Sequence, residues 1–318
     1  MELNQKTEAY LAIEIGGTKL QWMVCSENAE ILKRGRLKID KARGAEGIQA
    51  QLSACVEEVQ LDFIILKTGV GFGGPVNRWS GVIGESHQIE GWTGFPLAEW
   101  LQGQTQSPVY IENDANTAAL GEATYGAGRG YRTVFYTTLG SGIGGGLVQD
   151  GNLYYGREQG ESEMGHLRID KSGKTLEQAC SGWAVDLKVR EAVLQYPDSI
   201  LADLDTQAET GGEARFLLPA LLKGCPVARE ILDDVTSTLA LAASHVIHLF
   251  NPDILIFGGG LSLIGEPLRK GISEKLPALV LKAFAPMPGV VLAGLGEDVV
   301  PMGALAMVLA KNENNINV

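Results

Sequence analysis

Leu11-Ala-Ile-Glu-Ile-Gly-Gly-Thr-Lys-Leu-Gln-Trp-Met-Val24 and Val134-Phe-Tyr-Thr-Thr-Leu-Gly-Ser-Gly-Ile-Gly-Gly-Gly-Leu-Val148 share one grammar: an apolar β-type run, a glycine-rich break, and a second β-type run. In both, strand formers follow the glycines where a βαβ crossover would need a helix. Each therefore reads as a strand–glycine–strand hairpin. Asp150-Gly151 then gives a tight-turn signal into Asn152–Tyr155. Two such units, with breaks at Gly16 and Gly140, are spaced for a duplication of whole domains rather than a solenoid repeat.

Working outward, a helical pattern lies around Gly47–Val59, a buried strand at Phe63–Gly71, and a turn-rich segment from Gly73 to Gly94. A strand at Val109–Glu112 runs into Asn113-Asp-Ala-Asn-Thr-Ala-Ala-Leu-Gly-Glu122, where Asn113 or Asp114 is placed to cap a helix. After Ser181 the chain reads as mostly helical until the apolar strand Asp253–Phe257 breaks at Gly258–Gly260. A last helix covers Met302–Ala310, before a polar tail. Val235–Pro252 lacks Asp, Glu, Lys and Arg, yet Thr236, Ser237, Thr238, Ser244, His245, His248 and Asn251 make it too polar for a membrane span. It reads as a core helix.

At 318 residues the chain suits two domains. With 26 Lys and Arg against 38 Asp and Glu, its net charge of −12 lacks the basic footprint of a phosphate-backbone binder. Nucleic acid is not an expected partner, and neither is a membrane. Cys25, Cys55, Cys180 and Cys225 lie far apart with no CxxC pair, as buried thiols of a reducing compartment would. No basic stretch followed by an apolar run marks the N-terminus as a signal peptide, so the expected location is cytoplasmic.

Gly140, Gly142 and Gly145 match the G-x-G-x-x-G spacing of dinucleotide sites, but strand-like residues follow where a helix is required, so that reading is set aside. Gly173-Lys174-Thr175 ends like a Walker A loop, yet Arg168 stands where its first glycine belongs. Three glycine-rich breaks remain, at 16–17, 140–146 and 258–260. Each is either a tight turn or a place where backbone N–H groups approach phosphate oxygens; the duplication favours phosphate.

Glu112-Asn113-Asp114-Ala-Asn116 ends a strand, where α/β ligands usually bind. A carboxylate there takes the proton from a hydroxyl attacking phosphorus while an amide orients that hydroxyl. Helix capping is the competing account. Glu161-Ser-Glu163-Met-Gly-His166, followed by Glu177, suits recognition of sugar hydroxyls, with a solvated loop as the alternative. His245 and His248 share a helix face but have no third metal ligand nearby. Trp79, Trp92 and Trp100 read as packing residues.

Six segments, in order, resemble the ROK family (repressors, open reading frames and kinases) of the actin-like ATPase superfamily. They are Glu-Ile-Gly-Gly-Thr-Lys (14–19), Gly-Phe-Gly-Gly-Pro-Val (71–76), Glu-Asn-Asp-Ala-Asn-Thr-Ala-Ala-Leu-Gly-Glu (112–122), Thr-Leu-Gly-Ser-Gly-Ile-Gly-Gly-Gly (138–146), Glu-Met-Gly-His (163–166) and Asn-Pro-Asp-Ile-Leu-Ile-Phe-Gly-Gly-Gly (251–260). The resemblance implies an α/β fold of two actin-like (ribonuclease H-like) domains around a central cleft. It places them at 1–117 and 118–302, with a C-terminal helix at 303–318 packing back on the first. It implies ATP-dependent phosphorylation of a hexose or hexose derivative at the 6-hydroxyl, with Mg²⁺, by a homodimer.

Under that resemblance Asp114 matches the catalytic base. Gly74, Gln88, Asn113, Glu163, His166 and Glu177 fall at sugar-binding positions. Glu14, Gly16, Gly17, Thr18, Lys19, Thr138, Gly140, Ser141 and Gly142 fall on the phosphate loops, and Gly259 on the adenosine segment.

Three departures stand out. Family kinases usually carry zinc-binding cysteines between the His and the last Glu; here that stretch is Leu-Arg-Ile-Asp-Lys-Ser-Gly-Lys-Thr-Leu (167–176), and no zinc is expected. Glu14 stands for the usual Asp, and Gln88 for the usual Asn before Trp92. These departures motivate a rival reading, a non-catalytic sugar-binding regulator. It would lack a DNA-binding domain, because the first phosphate loop begins by residue 14.

Overall fold

A computed structural model describes residues 6–39, 43–85, 91–157, 162–204 and 211–310. The chain divides into two compact units. Unit one takes the described residues of Met1–Gly126, Gly151–Glu161 and Glu297–Val318; unit two takes those of Ala127–Asp150 and Ser162–Gly296. The sequence puts the crossings at 117/118 and 302/303; the units divide at 126/127 and 296/297, with 151–161 also in unit one.

Unit one opens with β1 (Thr7–Ile15), β2 (Lys19–Cys25), β3 (Ile31–Lys38), α1 (Gly44–Asp62) and β4 (Phe63–Phe72). A short hairpin of β5 (Val76–Asn77) and β6 (Val82–Ile83) leads to α2 (Leu97–Thr105), β7 (Val109–Asn113) and α3 (Asp114–Tyr125). The sheet order is β3-β2-β1-β4-β7, antiparallel on the β2 side of β1 and parallel through β4 and β7. β1 is buried from Ala9 to Ile15, as a strand covered on both faces must be. α1 buries Ile48, Leu52, Cys55, Val56 and Val59, a helical stripe in the unit's core.

In unit two β8 (Thr133–Leu139) turns into antiparallel β9 (Ile143–Gln149). β10 (Asn152–Leu153), which follows the Asp150-Gly151 turn, falls in unit one. Helices α4 (Leu176–Cys180), α5 (Gly182–Gln195), α6 (Ile200–Leu204), α7 (Leu217–Leu222) and α8 (Pro226–Phe250) precede β11 (Ile254–Gly258), α9 (Glu266–Leu279) and β12 (Gly289–Leu292). The run β9-β8-β11-β12 repeats the run β2-β1-β4-β7, with the same pairing senses. Both glycine breaks thus occupy the hairpin beside the central strand of a sheet. Because β9 begins at Ile143, directly after Gly140 and Gly142, and contains Gly145, the dinucleotide context is absent.

The uncharged stretch from Val235 lies in α8, which buries Ile231, Val235, Leu239, Ala242, Ala243 and Val246. Its His248 accepts the Leu281 N–H at 3.1 Å and meets the Phe284 ring edge-on, a packing role. Among the described residues no helix is long and apolar enough to cross a membrane. All four cysteines are buried and unbonded, and burial pushes the Cys25 and Cys180 thiols up to about 11. Trp92 is fully buried against Phe72 and Phe95, and Trp100 packs on Phe95. Trp79 departs from expectation: at 76% exposure on the β5–β6 turn it packs into no core.

The chain returns to unit one as α10 (Val299–Ala310), which lies on α3, β1 and β4. The approach is close because glycines face it. A Cβ on Gly303 would fall inside the Thr117 carbonyl oxygen, and one on Gly121 inside the Val299 oxygen. Since these neighbours are backbone, no side chain can yield. Gly303→Val is expected to cost at least about 3 kcal/mol, the upper range for overpacking, read as a lowered denaturant midpoint.

Candidate functional site

In unit one, three parallel strands end side by side. Glu14 pairs with Gly71 and Ile15 with Phe72 across β1 and β4; Gly71 pairs with Glu112 and Phe72 with Asn113 across β4 and β7. Gly73 donates its N–H to Ile15 O at 2.8 Å. A Cβ on Gly73 would lie 3.3 Å from each of Gly16 Cα, Ile15 O and Asp114 Oδ2. The carboxylate of Asp114, the first glycine turn and the Gly73-Gly74 turn therefore converge at the carboxyl ends of the strands, where α/β folds bind ligands.

Capping separates Asn113 from Asp114. Asn113 is the N-cap of α3: its Oδ1 accepts the N–H of Ala115 at 2.8 Å and of Asn116 at 3.2 Å. Its Nδ2 donates to Gly74 O at 3.3 Å, which ties two expected sugar contacts together. Asp114 is the first residue inside the helix, so capping does not account for it. Its carboxylate stands at the positive end of the helix dipole.

Glu14 is 8% exposed at the end of β1. Its Oε2 accepts from the Gln21 amide and lies 3.2 Å from Lys19 Nζ. Lys19 also reaches Glu297 at 3.3 Å, and Arg36 holds Glu297 at 2.8 Å. The Lys19 ammonium thus spans two carboxylates beside the turn of Gly16, Gly17 and Thr18. Gln21, Arg36 and Glu297 escape sequence reading: Gln21 faces Glu14 only through the β1–β2 register, and Glu297 is remote along the chain.

Burial raises the Glu14 carboxyl above its ordinary value, against the opposing pull of Lys19 and Gln21. A raised carboxyl contributes stability below the unfolded-state value and loses it as pH rises through the folded one. At neutral pH the ionised Glu14 is therefore a cost. Glu14→Gln is expected to melt higher than the wild type at pH 7.5, with the difference shrinking towards pH 4.

In unit two, Gly140 N–H donates to Gly142 O at 3.0 Å, closing the β8–β9 turn that carries Ser141 just beyond Thr138 near the end of β8, and Gly182 N–H donates to Gly140 O at 2.7 Å. Gly259, at φ +80°, takes a left-handed conformation with its Cα against Leu139, so the 258–260 break backs onto the end of β8. Glu177 Oε2 accepts the Ile143 N–H at 2.8 Å. A 3₁₀ turn at Met164–His166, with Glu163 at its start, is fixed by Met164, whose sulfur accepts the Thr137 hydroxyl at 3.2 Å. Glu163 and His166 side chains stay open, 54% and 70% exposed and 3.9 Å apart. Gly165 sits against Ile143 O, so Glu163, His166 and Glu177 gather around one residue. Gln88 and Glu161 lie outside the described residues.

The stretch where family zinc ligands would stand closes on itself. Arg168 bridges Thr175, Ile169 N–H donates to Lys174 O at 2.9 Å, and Asp170 accepts the Ser172 N–H at 2.8 Å and its hydroxyl at 2.5 Å. A Thr175–Gln178 capping box then starts α4 and sets Glu177 in its first turn. Among the described residues no group of three or more His, Cys, Asp or Glu is placed to hold a metal ion.

The family model described as "ROK family" matches residues 10–311. A glucokinase of Thermotoga maritima is 32% identical over 306 residues, 94% of this chain and 96% of the relative. The crystal structure of a ROK family glucokinase from Streptomyces griseus in complex with glucose and AMPPNP has a TM-score of 0.82 at 28% identity, covering 95% of this chain and 99% of that one. A ROK hexokinase from Thermus thermophilus has a TM-score of 0.79 at 25% identity, covering 96% of this chain and 100% of that one. With two α/β units of like strand order and the glycine turns at matching places, the chain belongs to the ROK family.

Proposed function

We propose that the protein is an ATP-dependent sugar kinase that transfers the γ-phosphoryl group to the 6-hydroxyl of a hexose or hexose derivative. The observation that carries this is the carboxylate of Asp114, released from capping by Asn113 and set beside Gly73 and Gly16. It takes the proton of the attacking hydroxyl; the oxygen attacks the γ-phosphorus in line and ADP leaves. Asn113 keeps one Nδ2 hydrogen for the sugar after bonding Gly74 O. Glu163, His166 and Glu177 supply further fixed donors and acceptors to sugar hydroxyls. The Gly16 and Gly140 N–H groups close their own turns, and the backbone N–H groups of Gly17, Thr18, Ser141 and Gly142 hold the phosphates, with Gly259 bordering the adenosine.

Glu14 would hold a Mg²⁺ carried on the nucleotide: Gln21 and Lys19 engage its Oε2, while its Oε1 faces the Gly16 turn, and one hard carboxylate suits an ion that keeps most of its waters. When bound, such an ion neutralises charge on the β- and γ-phosphate oxygens. Family membership supports a cytoplasmic homodimer, which light scattering checks.

The test is ADP release by purified protein with Mg-ATP against glucose, fructose, mannose, allose, glucosamine, N-acetylmannosamine and N-acetylglucosamine. Glucose leads because the relatives are named glucokinases. Sugar-dependent turnover is expected with at least one. Binding of ATP by folded protein without turnover on any of them would favour the regulator instead.

A further inference from the structure

The two segments that carry Glu163, His166 and Glu177 are fixed to one residue of β9. A Cβ on Gly165 would stand 2.1 Å from the Ile143 carbonyl oxygen, so the 3₁₀ turn lies against that backbone. Glu177 Oε2 accepts the Ile143 N–H at 2.8 Å from the first turn of α4. Residues 167–176 join the two segments on the remaining side, and they form a hairpin. Leu176 N–H donates to Leu167 O at 2.9 Å, Arg168 bridges Thr175, and Ile169 N–H donates to Lys174 O at 2.9 Å. The rung nearest the site links the residue after His166 to the residue before Glu177.

Packing holds the arms of the hairpin. Leu176 is fully buried, and Leu167 and Ile169, two apart on one arm, pack on the core of unit two. Thr175 is both a rung and the N-cap of α4, so the hairpin runs directly into the helix that aims Glu177. The tip depends on Asp170. Its Oδ1 accepts the Ser172 N–H at 2.8 Å, the Ser172 hydroxyl at 2.5 Å and the Lys174 N–H at 3.3 Å, three donors that reverse the chain around one carboxylate. Gly173, at φ +89°, supplies the left-handed residue of the turn, and its carbonyl accepts from the Arg168 guanidinium across the hairpin. A Cβ there would meet nothing within 4 Å, so the backbone and not space calls for glycine.

We propose that Asp170 is a positioning residue for sugar binding, whose turn clasps Leu167 to Leu176 and so fixes the spacing of Glu163 and His166 from Glu177. The roles of those three groups rest on the kinase reading; the frame around Ile143 does not. With the clasp open, the two segments keep only their separate contacts with Ile143. A sugar then binds only the fraction of molecules in which all three groups are in place.

Asp170→Ala removes the acceptor, and Gly173→Val strains the backbone at an open position. Combined, they are expected to raise KM for the sugar about tenfold, the apparent affinity falling with the closed fraction. KM for ATP should rise less, since Glu177 alone of the three bonds the phosphate turn. The turnover number should stay within about twofold, because the proton goes to Asp114 in unit one. Asp170→Asn keeps Oδ1 as an acceptor and should restore KM for the sugar to within about twofold of wild type. Wild-type KM in the combined variant, or a rise as large in Asp170→Asn, would overturn the proposal.

Amide hydrogen exchange at Ile143 needs no turnover and separates the clasp from the kinase reading. Faster exchange there in the combined variant, with wild-type exchange in Asp170→Asn, supports the clasp even if no sugar is phosphorylated, in which case the kinase reading alone fails. Unchanged exchange at Ile143 overturns the clasp whatever the turnover, because it reports Glu177 still seated on that N–H.

Discussion

Asp114→Asn is expected to lower sugar-dependent ADP release by about 10²–10⁴-fold, the range supplied by a positioned general base. Folding should survive. The capping bonds to Ala115 and Asn116 come from Asn113 and stay in place, and losing the Asp114 charge costs about 0.3–1 kcal/mol in its interaction with the helix dipole. Space for the amide is unchanged, since the two side chains differ by one terminal atom. KM for the sugar should move little, because the proton is transferred in the transition state rather than on binding. If the variant instead unfolded, or kept wild-type turnover, Asp114 would be a structural residue and the kinase reading would lose its carrying observation. Measuring kcat, KM and the melting temperature on one preparation separates these outcomes.

That prediction draws on a residue whose role the sequence leaves divided. Asn113 and Asp114 are equally good caps on paper, and only the backbone shows that the amide takes the cap. The hairpins around Gly16 and Gly140 are legible because strand period and glycine position suffice to identify them. β3 is not: Ile31–Lys38 is nearly all exposed, with Lys33, Arg34, Arg36 and Lys38 guarding an edge, so no apolar alternation marks it.

Lys19 shows a second limit. Spacing puts it on a phosphate loop, but its two carboxylate partners are set by register with β2 and by the return of the chain at Glu297. Motif spacing reports groups within one turn or one strand pair, whereas positioning networks draw on segments that meet late.

Gly142→Ala should reveal how closely the two substrate sides are joined in unit two. A Cβ there would stand 2.5 Å from Glu177 Oε2 and 3.3 Å from Glu177 Cδ. The obstacle is the end of a flexible side chain, so the protein yields by moving the carboxylate, and the melting temperature should change little. Function should change more. Displacing Glu177 breaks its 2.8 Å bond with the Ile143 N–H, which anchors the turn just after Gly142, and removes a group assigned to the sugar. KM is therefore expected to rise for both ATP and sugar, with kcat/KM down about a hundredfold. Gly140→Ala is the internal control. Its Cβ would meet nothing nearer than 3.9 Å, so any loss there reports crowding of the nucleotide alone, in KM for ATP. Should Gly142→Ala raise only KM for ATP, the Glu177 carboxylate would be a brace for the turn and not a sugar contact. A rise in both, with Gly140→Ala raising one, is the result that assigns Glu177 to both tasks.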